Sequence, residues 1–136
     1  MGKLTPYIIS ENARSQAEFY IQTLGGEILS LMTHEQSMGA QHESKDKVMH
    51  LSMVVSGENS IFMADVFDEP FTNGSSVSLS IAYSTESEAS EAFVKLAAGG
   101  KVKYPIEMQP FGLFFGELTD KYGVRWMITT EPKANE

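Results

Sequence analysis

From Ser76 to Tyr83 the chain alternates: Val77, Leu79, Ile81 and Tyr83 share one parity, and Ser76, Ser78 and Ser80, followed by Ala82, the other. A period of two predicts a strand with one buried face. Ala13, Ala17, Tyr20, Ile21 and Leu24 instead recur at spacings of three and four, the signature of an amphipathic helix. Asn12 is placed to cap its start, and Gly25-Gly26 to stop it in the left-handed conformation. Around that helix, Leu4 to Ser10 and Glu27 to Thr33 read as strands. The segment His34 to Lys47 is polar, carries Gly39 and several charges, and reads as a mobile loop. Val48 to Val55 and Ser60 to Val66 are two further strands joined through Gly57-Glu58-Asn59 as a hairpin.

Phe67 to Ser75 is rich in turn formers and reads as a linker. Beyond it, Thr85 with Glu88 forms a capping box, Ala89, Ala92, Phe93 and Leu96 make a helical stripe, and Gly99-Gly100 follows. Lys101 to Met108, Phe114 to Thr119 and Val124 to Thr130 complete the set as strands, the last two joined by the turn Asp120-Lys121-Tyr122-Gly123. The chain therefore contains one plan twice. Phe19 to Ile28 and Phe93 to Val102 both run from an apolar helix end through a double glycine into a strand, at an offset of 93 − 19 = 74. Carried backwards, that offset lays Tyr7-Ile8-Ile9-Ser10 over Ile81-Ala82-Tyr83-Ser84. Each half reads β-α-β-β-β, the first over residues 4–66 and the second over 76–130, within a single domain of residues 1–136.

Composition narrows the partners. The chain is 136 residues long, with 42% hydrophobic and 21% charged residues, as expected for one globular domain. Its net charge of −8 repels phosphate backbones, and no basic stretch offsets it, so nucleic acid is not an expected partner. Cysteine is absent, which excludes a disulfide framework, a thiol nucleophile and a Cys-ligated metal. No apolar stretch reads as a signal peptide or a membrane span, and Pro6 stands where a myristoylation motif needs Ser or Thr, so the expected setting is cytoplasmic.

The order of motifs resembles the vicinal oxygen chelate superfamily, the glyoxalase and bleomycin-resistance fold, and within it the PhnB-like group that carries the label 3-demethylubiquinone-9 3-methyltransferase domain. The resemblance lies in Ala17-Glu18-Phe19-Tyr20 with Gly25-Gly26-Glu27, then Val48-Met49-His50, then Phe115-Gly116 through Thr119-Asp120, Tyr122-Gly123 and Trp126-Met127. It spans about Leu4 to Thr130. It implies an α+β fold in which two βαβββ modules curl a mixed sheet into an open cup for a ligand, commonly in a homodimer. It also implies four metal-ligand positions, two in each half. Here those positions fall near Thr5 to Tyr7, at Ala64, at Val77 to Leu79 and at Met127, none a good ligand. Asp65 lies beside Ala64, but a shift of one residue turns a strand side chain to the other face. No cofactor is therefore expected. Both glycine doublets end helices, so neither offers the strand-to-helix turn of an α/β S-adenosylmethionine enzyme.

What remains is a polar and aromatic lining. His50 shares a strand parity with Ser52 and Val54, opposite Met49, Leu51, Met53 and Val55, which points it either toward a ligand as hydrogen-bond partner or base, or into a structural role. His34, His42 and His50 together lack metal-type spacing. Asp65 and Glu117 are the acidic candidates, as ligand contacts or as strand-end carboxylates. Phe62, Phe111, Phe114 and Trp126 are candidate pocket walls or core packing, and Arg125 should face away from Trp126. The function expected is small-molecule binding without the usual metal. The alternatives are a metal-dependent lyase, isomerase or dioxygenase, and a regulatory module that uses the segment His34 to Lys47.

Overall fold

A computed structural model of the chain describes residues 1–38 and 43–132. It resolves into two compact units, Met1–Thr72 and Asn73–Glu136. The first contains β1 (Tyr7–Ser10), α1 (Ala13–Leu24), β2 (Gly26–Thr33), a short α2 (His34–Met38), β3 (Val48–Val55) and β4 (Asn59–Asp65). The second contains β5 (Leu79–Tyr83), α3 (Glu86–Ala97), β6 (Lys101–Met108), β7 (Phe114–Thr119) and β8 (Arg125–Thr130). Each unit holds one four-stranded mixed sheet, ordered β1-β4-β3-β2 and β5-β8-β7-β6. In both, the first strand runs parallel to the last and the remaining pairings are antiparallel.

In the first unit α1 packs on β3 and β4, and Ala13, Ala17 and Tyr20 bury there with Leu51, Met53, Val55, Ile61 and Met63. Asn12 caps α1 by accepting the Ser15 N–H at 3.1 Å. The second unit repeats the arrangement: Ala89, Ala92, Phe93 and Leu96 bury with Leu118, Trp126 and Ile128. Thr85 caps α3, accepting the Glu88 N–H at 3.1 Å while its hydroxyl donates to Glu88 Oε1 at 3.0 Å. Of the described residues, no helix is long and apolar enough to cross a membrane.

The glycine doublets act by contact. A Cβ on Gly26 would sit 1.9 Å from the Val54 carbonyl oxygen, and one on Gly100 2.2 Å from that of Thr119. Gly25 ends α1 with the positive φ of 77° that the glycine stop requires, although its ψ of 154° lies outside the left-handed helical well, and its N–H donates to Ile21 O. To the positive-φ stop at Gly25 the second glycine of each doublet adds a close approach of backbones, at the start of β2 on β3 and just before β6 on β7.

These contacts also correct the repeat. The helices are offset by 86 − 13 = 73 and 97 − 24 = 73, whereas the close-contact glycines are offset by 100 − 26 = 74. The extra residue is Ala98, at the end of α3. Tyr7 therefore matches Ser80 and not Ile81, and the burial pattern agrees: Tyr7 and Ser80 are exposed, Ile8 and Ile81 half-buried. Parity is what decides, since a single residue exchanges the two faces of a strand. For the last strands the offset falls to 127 − 62 = 65, because Tyr7 pairs with Phe62 and Ser80 with Met127.

Other boundaries shift for local reasons. β1 starts at Tyr7 and not Leu4, with the Pro6 carbonyl accepting the Phe62 N–H at 2.9 Å; β5 starts at Leu79, and Val77 is exposed. The expected loop from His34 to Lys47 contains α2 and a 3-10 turn over Glu43–Asp46. The missed signal is a capping box: Thr33 N–H donates to Gln36 Oε1 at 2.8 Å, and Gln36 N–H to Thr33 Oγ1 at 3.2 Å. Gly39 and His42 lie outside the described residues.

Replacing Gly26 or Gly100 with Ala should destabilise the protein by at least about 2 kcal/mol each, since the new methyl must push two strands apart. Alanine at Gly2, where a Cβ meets nothing within 4 Å, should leave the urea unfolding midpoint unchanged.

Candidate functional site

With α1 covering one face of the first sheet, the residues of opposite parity form the face turned away from α1. Pairing places Tyr7 and Ile9 of β1, Phe62 and Ala64 of β4, Ser52 and Val54 of β3, and Met32 of β2 on it. His50 joins them through its register with Met32. At the middle of this face Tyr7 Oη lies 3.1 Å from His50 Nδ1, with the donor set by the imidazole tautomer. The Phe62 ring centroid is 5.0 Å from that of His50 and 6.0 Å from that of Tyr7, in edge-to-face arrangements. Tyr7 is 49% exposed. Two hydrogen-bonding groups therefore stand beside Phe62 and Met32 with ring surface still accessible, on a face that also carries Ser30, Ser52, Ser60 and Glu27, a combination suited to a flat organic molecule with polar substituents.

The second sheet gives its uncovered face a different character. Glu117 is 5% exposed, and its Oε2 lies 3.1 Å from Arg125 Nη2 and 3.6 Å from Lys103 Nζ. Arg125 Nη1 also donates to the Ser75 carbonyl. Two cations on one carboxylate leave this cluster with one net positive charge in a chain of net charge −8. Breaking such a pair exposes a buried charge, which is costlier than the pair is stabilising.

Other candidates stand elsewhere. Asp65 has the parity of Ile61 and Met63, and its two oxygens accept the N–H groups of Ala13 and Val48, each at 2.7 Å. Its carboxylate thus ties the start of α1 to the start of β3. Trp126 is 1% exposed among the residues under α3, and its indole N–H donates to Asp120 Oδ2 at 2.8 Å. Arg125 and Trp126 do face opposite sides. Phe114 has the parity of Gly116 and Leu118, toward α3, and Phe111 is 71% exposed in the turn between β6 and β7. His34 is 6% exposed with its ring centroid 4.4 Å from Phe67, and its Nδ1 has no partner among the described residues. The structure thus brings His50 and Phe62 together and adds Tyr7 beside them, and it sets Arg125, on the side that alternation gave it, and Lys103 against Glu117. Of the described residues, no three His, Asp or Glu side chains group so as to hold a metal ion.

Two βαβββ halves with matching strand order define a protein of the glyoxalase/bleomycin resistance fold. The fold is shared with a glyoxylase/bleomycin resistance protein/dioxygenase domain from Frankia sp. EAN1pec, 14% identical with a TM-score of 0.70 over 97% of this chain and 98% of that one. The family model described as 3-demethylubiquinone-9 3-methyltransferase matches residues 3–129, and the chain belongs to that family. Among solved structures it is similar to protein PA1353 from Pseudomonas aeruginosa, at 31% identity and a TM-score of 0.85 over 98% of this chain and 100% of that one. It is also similar to a PhnB protein from Bacillus cereus, at 28% identity and a TM-score of 0.77 over 96% and 100%.

Removing the Asp65 clip should cost about 2–3 kcal/mol in Asp65→Ala, because two backbone donors lose a charged acceptor. Asp65→Asn keeps one acceptor and should cost about half as much on chemical unfolding.

Proposed function

We propose that the protein binds a small aromatic molecule on the uncovered face of its first sheet, without a metal centre. The observation that supports this most is the hydrogen-bonded Tyr7–His50 pair beside Phe62, on the face turned away from α1. The donor chemistry argues against the metal-dependent alternative. Near the positions that the resemblance implies stand the segment Thr5 to Tyr7, the methyl group of Ala64, the segment Val77 to Leu79 and the thioether of Met127. A divalent ion of the hard or intermediate kind takes carboxylate, imidazole or carbonyl donors, which these do not supply. The carboxylate beside Ala64, Asp65, already spends both oxygens on backbone donors, and Glu117, paired with Met127, is held by Arg125 and Lys103. In this reading Tyr7 and His50 orient the ligand and Phe62 supplies the contact area. We expect a homodimer in solution, as the fold resemblance implies; sedimentation would read it.

Thermal-shift screening with a panel of aromatic compounds should yield binders; one present at a hundredfold its Kd adds about 2.7 kcal/mol of stability. Phe62→Ala should weaken such a binder about tenfold by loss of the aromatic contact. A panel without any stabilising compound would contradict the proposal. So would a rise in Tm with Mn2+, Ni2+ or Zn2+ in protein purified without chelator, which would restore the metal-dependent reading.

A further inference from the structure

We propose that Asn73 is a site of spontaneous covalent modification: the Gly74 nitrogen attacks the Asn73 side chain, ammonia leaves, and the carboxylate formed unclasps the linker from the β7–β8 turn. No ligand is needed for it, and the first sheet takes no part.

An asparagine followed by glycine sets a main-chain nitrogen and a side-chain carbonyl carbon within one five-membered ring. Glycine lacks the Cβ that would crowd the approach, and two groups of one chain need no bimolecular encounter. Here the folded chain leaves the approach open. Asn73 and Gly74 are exposed, a Cβ on Gly74 would meet nothing within 4 Å, and the Gly74 N–H has no hydrogen-bond partner among the described residues. Asn73 Nδ2, the group that must leave, donates to the Tyr122 carbonyl at 3.3 Å. That bond is long, exposed and between neutral groups, so it delays the reaction by at most about tenfold.

Two further asparagines among the described residues are held differently. Asn12 caps α1, and the N–H that follows it, of Ala13, already donates to Asp65 Oδ1 at 2.7 Å. Asn59 Nδ2 donates to the carbonyls of Val55 at 3.2 Å and Ser56 at 2.9 Å, and the next residue, Ser60, brings a Cβ. Neither has an open glycine behind it, which singles out Asn73.

The Gly74 nitrogen gives its proton to base and bonds to Asn73 Cγ. The Cγ–Nδ2 bond breaks, and Nδ2 takes a proton and leaves as ammonia. Water then opens the ring at either carbonyl carbon. Aspartate results where the bond from nitrogen to Cγ breaks, and isoaspartate where the bond from nitrogen to the main-chain carbonyl carbon breaks. One water enters, one ammonia departs, and no oxidant or reductant takes part.

The amide lost in this way is a clasp. A Cβ on Gly123 would sit 2.0 Å from Asn73 Nδ2, so the amide occupies the notch that glycine leaves in the β7–β8 turn. Ser75, two residues on, accepts from Arg125 Nη1. A carboxylate has no hydrogen to give Tyr122 and sets oxygen against oxygen there. Isoaspartate also inserts a carbon into the main chain ahead of Ser75. The net charge becomes −8 − 1 = −9. Hydrolysis runs one way in water, so the modified fraction rises with the age of the chain.

Ageing the full chain in mildly alkaline buffer, followed by ion exchange and peptide mass spectrometry, tests this. A more acidic species should accumulate with time and in proportion to hydroxide, heavier by the difference between OH and NH2, with the change at Asn73 and not at Asn12 or Asn59. Gly74→Ala should slow it at least about tenfold by supplying the missing Cβ. Gly74 has φ 76°, so if Gly74→Ala lowers the unfolding midpoint, Asn73→Gln takes its place; it needs a larger ring and should form no acidic species. Asn73→Asp reproduces one product and should move the amide resonances of Ser75, Tyr122 and Gly123. A chain in which Asn12 or Asn59 reacts at least as fast as Asn73, or in which none reacts, overturns the modification site. Resonance changes in Asn73→Asp confined to residues 73 and 74 overturn the unclasping.

Discussion

At Gly26 and again at Gly100, one strand's backbone rests against a carbonyl of the next at a separation only a hydrogen atom allows. That approach fixes how β2 meets β3 and β6 meets β7 at their glycine ends, while register shifts at Ile28/Ser30 and Val102/Tyr104 re-phase the two strands beyond it. The register decides which side chains point toward the helix. Once Leu51, Met53, Ile61 and Met63 are committed beneath α1, the intervening residues are left on the other face whatever their chemistry. The location of the site therefore follows from the packing of the core. Tyr7, His50 and Phe62 come together because β1 runs parallel to β4, and β4 lies between β1 and β3.

Duplication separates what the scaffold requires from what it is free to vary. Both halves keep an apolar stripe on the helix, a glycine at the close contact and large apolar residues beneath the helix. On the uncovered faces the halves have diverged completely, an aromatic pair with imidazole in one and a carboxylate shared by Arg125 and Lys103 in the other. Carboxylates are also used for anchoring: Asp65 joins α1 to β3, and Asp120 holds the turn before β8 by accepting the Tyr122 and Val124 N–H groups together with the Trp126 indole. Such groups have little capacity left for a ligand.

Much of this is legible in the chain. Helical stripes, alternating strands and the Thr85–Glu88 box each state their element locally, and the parity of His50 with Ser52 and Val54 already placed it off the core. The limits are equally physical. Ala98 adds one residue to the second half, so an overlay made on the glycines slips by one in β1, which the 73-residue offset of the helices and the burial parity both reveal. Tyr7 is not visible as a partner of His50 because pairing between β1 and β4 is non-local; nothing within either segment encodes it. Trp126 looks like a pocket wall by residue type, yet its position opposite Leu118 puts it beneath α3. The Thr33–Gln36 box was readable but lay in a polar stretch without helical periodicity.

The central claim is that the two equivalent faces differ in function, and chemical-shift mapping during titration with an aromatic ligand tests it most directly. The account predicts perturbations centred on Tyr7, His50, Ser52 and Phe62 and their backbone neighbours. Perturbations centred on Ser80, Phe115, Glu117 and Met127, with the first sheet silent, would contradict it.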